Sequence, residues 1–138
     1  MQQALNYAET LEIPFVFSSN GNAFLFHDRT GNATPTEKNL ALEQFPSPEA
    51  LWQQYCIWKN IATENAKATV AMPYYDDGSG RAPRYYQASA VNNTIEAVAR
   101  GQQRILLVMA TGTGKTYTAF QIIWRLWKSG SKTHFILS

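Results

Sequence analysis

Seven consecutive residues in the last third of the chain, Ala110-Thr111-Gly112-Thr113-Gly114-Lys115-Thr116, have the make-up of an anion cradle. Glycines at 112 and 114 allow the backbone to curl so that successive N–H groups point inward at one anion. A helix starting at Lys115 adds the positive end of its dipole, worth about 0.3–1 kcal/mol for an exposed anion. Lys115 brings a full charge to terminal phosphates, where a charge-assisted hydrogen bond is worth about 1.5–3 kcal/mol net. The Thr116 hydroxyl is placed to hold Mg²⁺, and Thr111 and Thr113 complete the loop. The chemistry these residues imply is binding of ATP with Mg²⁺.

A second constellation lies upstream. Arg84-Tyr85-Tyr86-Gln87 stands at the mouth of a helix, about 28 residues before Lys115. It resembles the glutamine motif of helicase superfamily 2 motors, and that resemblance implies that the Gln87 amide, with both a donor and an acceptor, pairs with the adenine edge while Arg84 or an adjacent tyrosine stacks nearby. The full phosphate-loop pattern G-x-x-x-x-G-K-[ST] puts a glycine where this chain has Met109. That departure points away from small GTPases and transport ATPases. Ala-Thr-Gly-x-Gly-Lys-Thr followed from Arg-Tyr-Tyr-Gln resembles the motors of helicase superfamily 2.

Positioning such a loop requires a strand before it and a helix after it. Arg104 to Met109 is a continuous apolar run, as expected of a parallel strand buried on both faces. Lys115 to Ser129 reads as a helix, with Phe120, Ile123, Trp124 and Trp127 spaced as one buried face and Gly130 as its stop. His134 to Leu137 then begins a second strand, completing a βαβ unit. Tyr86 to Arg100 is a helix ended by Gly101.

Farther upstream, Gln2 to Leu11 reads as a helix with Ala4, Leu5, Ala8 and Leu11 on one face, broken by Ile13-Pro14. Phe15 to Phe17 and Ala23 to Phe26 flank Asn20-Gly21, a pair that supplies the positive φ angles of a tight hairpin. Residues 29–39 read as a loop. Ser47-Pro48-Glu49 starts a helix that buries Leu51, Trp52, Tyr55 and Trp58. Periodicity is lost from Thr63 to Arg84, where a domain boundary is expected, and Asp76-Asp77-Gly78-Ser79-Gly80 marks a turn. It lacks the alternating oxygen ligands and distal glutamate of a calcium loop.

Composition fits this organisation. The 138 residues are 45% hydrophobic and 16% charged, a globular balance. One cysteine, Cys56, excludes an internal disulfide framework, and two distant histidines argue against zinc. No apolar run approaches the roughly 20 residues of a membrane span, and the start lacks the pattern of a signal peptide. No membrane partner and a cytoplasmic location are expected. Charge is unevenly spread: nine carboxylates face four cations up to Asp77, whereas Glu96 alone faces eight cations afterwards. The second region is the one suited to phosphates.

Other segments extend the resemblance across the chain. Gln3-Ala4-Leu5-Asn6-Tyr7, Ile13-Pro14-Phe15, Phe26-His27-Asp28-Arg29-Thr30-Gly31, Phe45-Pro46-Ser47-Pro48-Glu49 and Pro73-Tyr74-Tyr75-Asp76-Asp77-Gly78-Ser79-Gly80 precede the loop in that order. Together they resemble the restriction (R) subunit of type I restriction–modification enzymes. The resemblance implies an α/β chain: an incomplete P-loop (RecA-like) βαβ unit preceded by the helix and hairpin tail of a PD-(D/E)xK nuclease domain. It implies residues 1–45 as nuclease tail, 46–80 as helical linker and turn, and 81–138 as the start of the first RecA-like motor domain. Gln3 and Tyr7 match the family's Gln-x-x-x-Tyr nuclease motif. Implied partners are the backbone of double-stranded DNA and the methylation and specificity subunits. ATP, Mg²⁺ and a catalytic role for Lys115 complete the expectation.

The stretch after Lys115 has no Asp or Glu, although motors of this class need acidic residues on a later strand and an arginine finger. The nuclease carboxylates and lysine also fall outside these residues. The chain alone is therefore expected to be inactive in ATP turnover and DNA cleavage. Two alternatives remain open: part of another superfamily 2 DNA or RNA translocase, or a non-catalytic truncated gene product.

Overall fold

The computed structural model describes residues 2–131 and has a mixed α/β fold in two compact units that divide between Lys59 and Asn60. The first unit contains α1 (Gln2–Thr10), β1 (Phe15–Ser19), β2 (Ala23–Asp28), β3 (Glu37–Ala41), a 3₁₀ turn (Leu42–Gln44) and α2 (Pro48–Trp58). The second contains α3 (Glu64–Ala71), α4 (Tyr85–Ala99) and α5 (Lys115–Lys128).

In the first unit the strands form one antiparallel sheet in the order β1-β2-β3, with Phe17 opposite Phe26 and Phe26 opposite Lys38. The hairpin lies at Asn20-Gly21, but Gly21 alone of that pair has a positive φ, 92°. Asn20 contributes its side chain instead, its Oδ1 accepting from the Asn22 and Ala23 amides. A two-residue turn was the sequence expectation; a wider loop held by an asparagine side chain is what forms. β3 corrects the expected loop over 29–39. Its residues Glu37-Lys38-Asn39 are exposed, so the strand exists through its ladder with β2 rather than through an apolar pattern. Charge on such an edge also discourages further strand pairing.

The start of α2 follows its sequence signal: Ser47 Oγ accepts from the Ala50 amide at 3.2 Å, and Pro48 occupies the first turn. Burial on this helix differs from expectation. Cys56 is its buried residue, whereas Leu51, Trp52, Tyr55 and Trp58 are only half-covered. Trp52 and Tyr55 stack on each other at 5.7 Å, so much of the aromatic contact is within the helix itself. Asn60, with φ of 55°, follows the helix end.

The second unit is a packed set of three helices. α3 corrects the expectation of an aperiodic stretch after Thr63: Thr63 Oγ1 caps it by accepting from the Ala66 amide at 3.1 Å. Its Glu64-Asn65-Ala66-Lys67-Ala68-Thr69 is too polar to show an apolar stripe. Val91 and Ile95 of α4 and Leu126 of α5 form the core, with Val70, Tyr74, Val98 and Ile122 packed against it.

α5 buries a different face from the one its aromatic residues mark. Thr118, Gln121, Arg125 and Leu126 are buried, while Phe120 and Trp127 are exposed. Two of the polar residues, Gln121 and Arg125, are held in the interior by fixed hydrogen-bond partners. Gln121, fully buried, exchanges two hydrogen bonds with the Tyr75 backbone, at 2.9 and 3.1 Å. The Arg125 guanidinium donates to Asn92 Oδ1 at 2.8 Å and to the Val70 carbonyl at 2.6 Å, and lies 5.0 Å from the Tyr74 ring centroid. Tyr74 donates to the same Asn92 Oδ1, and burial pushes its phenol above the usual range, against the opposing charge of Arg125. The aromatic stripe instead receives Tyr75, whose ring meets Phe120 and Trp124 edge-on.

The strand expected over 104–109 is absent. Those residues belong to no strand, and the exposures of Ile105, Leu106, Leu107 and Val108 are 40%, 87%, 39% and 85%. That alternation is the signature of extended backbone with one face turned outward. A strand additionally needs a hydrogen-bonded neighbour, and the described residues of the second unit contain no other strand. The second strand expected at His134–Leu137 lies outside the described residues. Of the expected βαβ unit, the helix alone is therefore observed.

Candidate functional site

The loop before α5 is built by left-handed glycines. Gly112 and Gly114 have φ of 79° and 83°, a region that side chains with a Cβ enter only at a cost. Between them the Thr113 hydroxyl donates to the Ala110 carbonyl at 2.6 Å, and the Thr113 amide reaches the same oxygen at 3.4 Å. A small closed turn results. Gly114 is the N-cap of α5 and no side chain caps the helix. The helix start therefore presents the amides of Lys115, Thr116 and Tyr117 without the usual side-chain acceptor. Lys115 and Thr116 are exposed beside them. An uncapped helix start, a glycine turn and a lysine at the first helical position together form a donor set suited to a phosphate chain.

Gln87 is the strut beneath this loop. It is buried in the first turn of α4, where its Oε1 accepts from the Arg84 amide at 3.0 Å. Its Nε2 donates to the Thr113 carbonyl at 2.8 Å. A Cβ placed on Gly114 would run into Gln87 Nε2, the end of a flexible side chain that would have to shift; the positive φ is what calls for glycine here. Arg84 is exposed at the N-cap of α4, its guanidinium 3.3 Å from the Tyr86 hydroxyl.

The structure thus brings Gln87, Thr113 and Gly114 into contact and places Arg84, Lys115 and Thr116 on the elements that flank them. Gln3 and Tyr7 stand on α1 of the first unit, both exposed. Sequence reasoning missed two neighbours of the loop. Tyr117 follows Lys115-Thr116 on α5, and the Arg81 guanidinium lies 5.5 Å from its ring centroid. The signal that could have found Tyr117 is its place two residues after the lysine. Arg81 gives none, because a contact across 36 positions leaves no local pattern. Among the described residues no cluster of three or more His, Cys, Asp or Glu is arranged to hold a metal ion, and no helix is long and apolar enough to cross a membrane.

The family described as "Type III restriction enzyme, res subunit" matches residues 81–137, the stretch that carries Gln87 and the loop. The EcoAI endonuclease subunit of the type I restriction enzymes of Escherichia coli is 56% identical over 137 residues, 99% of this chain and 17% of that protein. The chain is homologous to type I restriction endonuclease subunits. The EcoKI endonuclease subunit of Escherichia coli K12 agrees at 33% identity over 131 residues, 88% of this chain and 10% of that relative. A fragment structure assigned to an HsdR subunit from Vibrio vulnificus YJ016 superposes with a TM-score of 0.79 at 41% identity. It covers 94% of this chain and 23% of its own. The homology thus runs through both compact units, while the chain spans under a fifth of the length of these curated relatives.

Proposed function

We propose that residues 110–116 bind the triphosphate of ATP, as the nucleotide-binding segment of an ATP-dependent, DNA-translocating restriction endonuclease. The observation that carries this reading is the uncapped start of α5 behind two left-handed glycines, with Lys115 at its first position. The amides of the first helical turn bind phosphate oxygens and the Lys115 ammonium neutralises them. Thr116 is the residue of this chain that would hold Mg²⁺, which supplies charge neutralisation between phosphates when bound. Gln87 fixes the loop through the Thr113 carbonyl. An amide side chain offers two donors and two lone pairs, and these bonds use one of each. The remainder suits the edge of adenine, with Arg84 beside it.

The same reading assigns residues 81–138 to the first RecA-like motor domain, 46–80 to a linker, and 1–45 to the tail of a nuclease domain, with Gln3 and Tyr7 in its Gln-x-x-x-Tyr motif. Double-stranded DNA and the methylation and specificity subunits are the partners it implies. ATP hydrolysis requires acidic groups on a later strand, and no Asp or Glu follows Lys115 in these residues, so binding without turnover is the expected behaviour of the purified chain.

The test is a fluorescence titration with N-methylanthraniloyl-ATP, with and without Mg²⁺. Saturable binding that Lys115→Ala abolishes supports the proposal; binding insensitive to Lys115→Ala, or absent from the folded wild type, refutes it.

A further inference from the structure

Beside the loop stands a cation that the sequence pattern does not single out. Arg81 lies over the ring of Tyr117, 5.5 Å from its centroid. Tyr117 is the third residue of α5, and its Cβ comes within 4.0 Å of the place a Cβ on Gly114 would occupy. Arg81 is carried there by a structured turn. The Gly78 amide donates to Asp76 Oδ1 at 2.8 Å, the Ser79 amide to Asp77 Oδ1 at 3.0 Å, and the Arg81 amide to Ser79 Oγ at 3.4 Å.

The charge of Arg81 is not consumed in this arrangement. Among the described residues the ion pairs involve other cations. The Asp77 carboxyl is held below the usual range chiefly by hydrogen bonds from Ser79, with Arg81 the smallest contributor. Tyr117 carries a further sign that its position serves more than packing. Its hydroxyl is shielded from solvent and has no hydrogen-bond partner among the described residues, an arrangement that costs free energy unless something else compensates.

We infer that Arg81 is a second phosphate-binding cation of the nucleotide site, with Tyr117 as its positioning residue. A guanidinium held over an aromatic face by cation–π attraction spends none of its N–H donors on conventional acceptors there, and those donors match phosphate oxygens in pairs. Lys115 and Arg81 then bracket the phosphate chain from the loop and from the turn that precedes α4. This assignment rests on the ATP reading of residues 110–116.

Titration of the purified chain with N-methylanthraniloyl-ATP in Mg²⁺ tests it, with thermal unfolding of every variant as the control for folding. Arg81→Gln is expected to weaken binding about tenfold, the scale of one lost charge-assisted contact, with the midpoint of unfolding unchanged. Arg81→Lys is expected to recover part of the loss. Tyr117→Leu removes the stacking face and is expected to weaken binding by a similar factor. Combined with Arg81→Gln it adds little, as coupled residues do. Binding of N-methylanthraniloyl-adenosine should not respond to Arg81→Gln. If Lys115→Ala abolishes ATP binding while Arg81→Gln leaves it unchanged, the inference is wrong and the ATP reading stands. Equal losses for adenosine and ATP also overturn the phosphate role. If Lys115→Ala has no effect, the ATP reading itself fails and takes this one with it.

Discussion

At the scale of single residues, the loop is defined as much by what touches it from below as by its own sequence. Gly114→Ala sets two costs together: a Cβ at a φ of 83° and a contact that makes the end of the Gln87 side chain shift. The first costs about 1 kcal/mol in a left-handed position. The second forces the amide off the Thr113 carbonyl. Urea unfolding of Gly114→Ala is expected to show a loss of about 2–3 kcal/mol; a loss below about 0.5 kcal/mol would mean that Gln87 does not press on this glycine. Gln87→Ala removes the pressing group as well as its bonds. In the double variant the two losses should therefore fall short of additivity. The lysine and the glycines stood out in the sequence because the proposed phosphate cradle needs those residue types at that spacing. The bond from Gln87 to the Thr113 carbonyl did not. Gln87 stood out for a different chemistry, adenine recognition, and an amide side chain gives no sign of which partner it has already taken.

At the scale of elements, helix ends announced themselves and helix faces did not. Ser47-Pro48-Glu49, Gly101 and Gly130 marked the ends of α2, α4 and α5 because capping is local chemistry. The buried face of α5 was misread because an apolar stripe was the visible pattern, while the true interior is Thr118, Gln121, Arg125 and Leu126. Burial there is decided by acceptors supplied from α4 and from residues 70–75, which no window on α5 reveals. Arg125→Ala should consequently be among the most damaging changes in this unit. It orphans the Val70 carbonyl and leaves a cavity beside Tyr74, for an expected loss of about 2–4 kcal/mol in chemical denaturation. Phe120→Ala, on the exposed stripe, should cost under half as much; the reverse order would show that the aromatic face is the core after all. The strand expected over 104–109 fails for a related reason: its apolar residues were legible, but a ladder is a property of two segments. Leu106 and Val108, which point outward, leave an adhesive edge. Leu106→Lys with Val108→Lys is expected to raise the soluble yield of the chain without lowering its unfolding midpoint. A lowered midpoint would mean that these side chains pack within the unit.

At the scale of the whole molecule, the division between Lys59 and Asn60 predicts that the folding of the two units can be read apart. The second unit has a core of Val91, Ile95 and Leu126, and the buried apolar residues of the first are Ala8, Val16, Phe26 and Cys56. The sequence hinted at two regions through its charge, but placed the change at Asp77, well after the structural division. The difference arises because α3, polar in composition, joins the later helices through Val70 and Arg125 rather than through any charge pattern. The four tryptophans allow the units to be read apart, since Trp52 and Trp58 lie in the first and Trp124 and Trp127 in the second. A Trp52→Phe, Trp58→Phe variant reports the second unit, and the complementary pair reports the first. A ligand that binds one unit stabilises that unit by RT ln(1 + [L]/Kd), about 2.7 kcal/mol at a hundredfold excess over Kd. Excess ATP with Mg²⁺ should therefore raise the transition seen by Trp124 and Trp127 and leave the one seen by Trp52 and Trp58 in place. Lys115→Ala should erase the shift. A single transition that moves as one in both variants would show instead that the two units unfold together, and that the proposed nucleotide seat draws its stability from the entire chain.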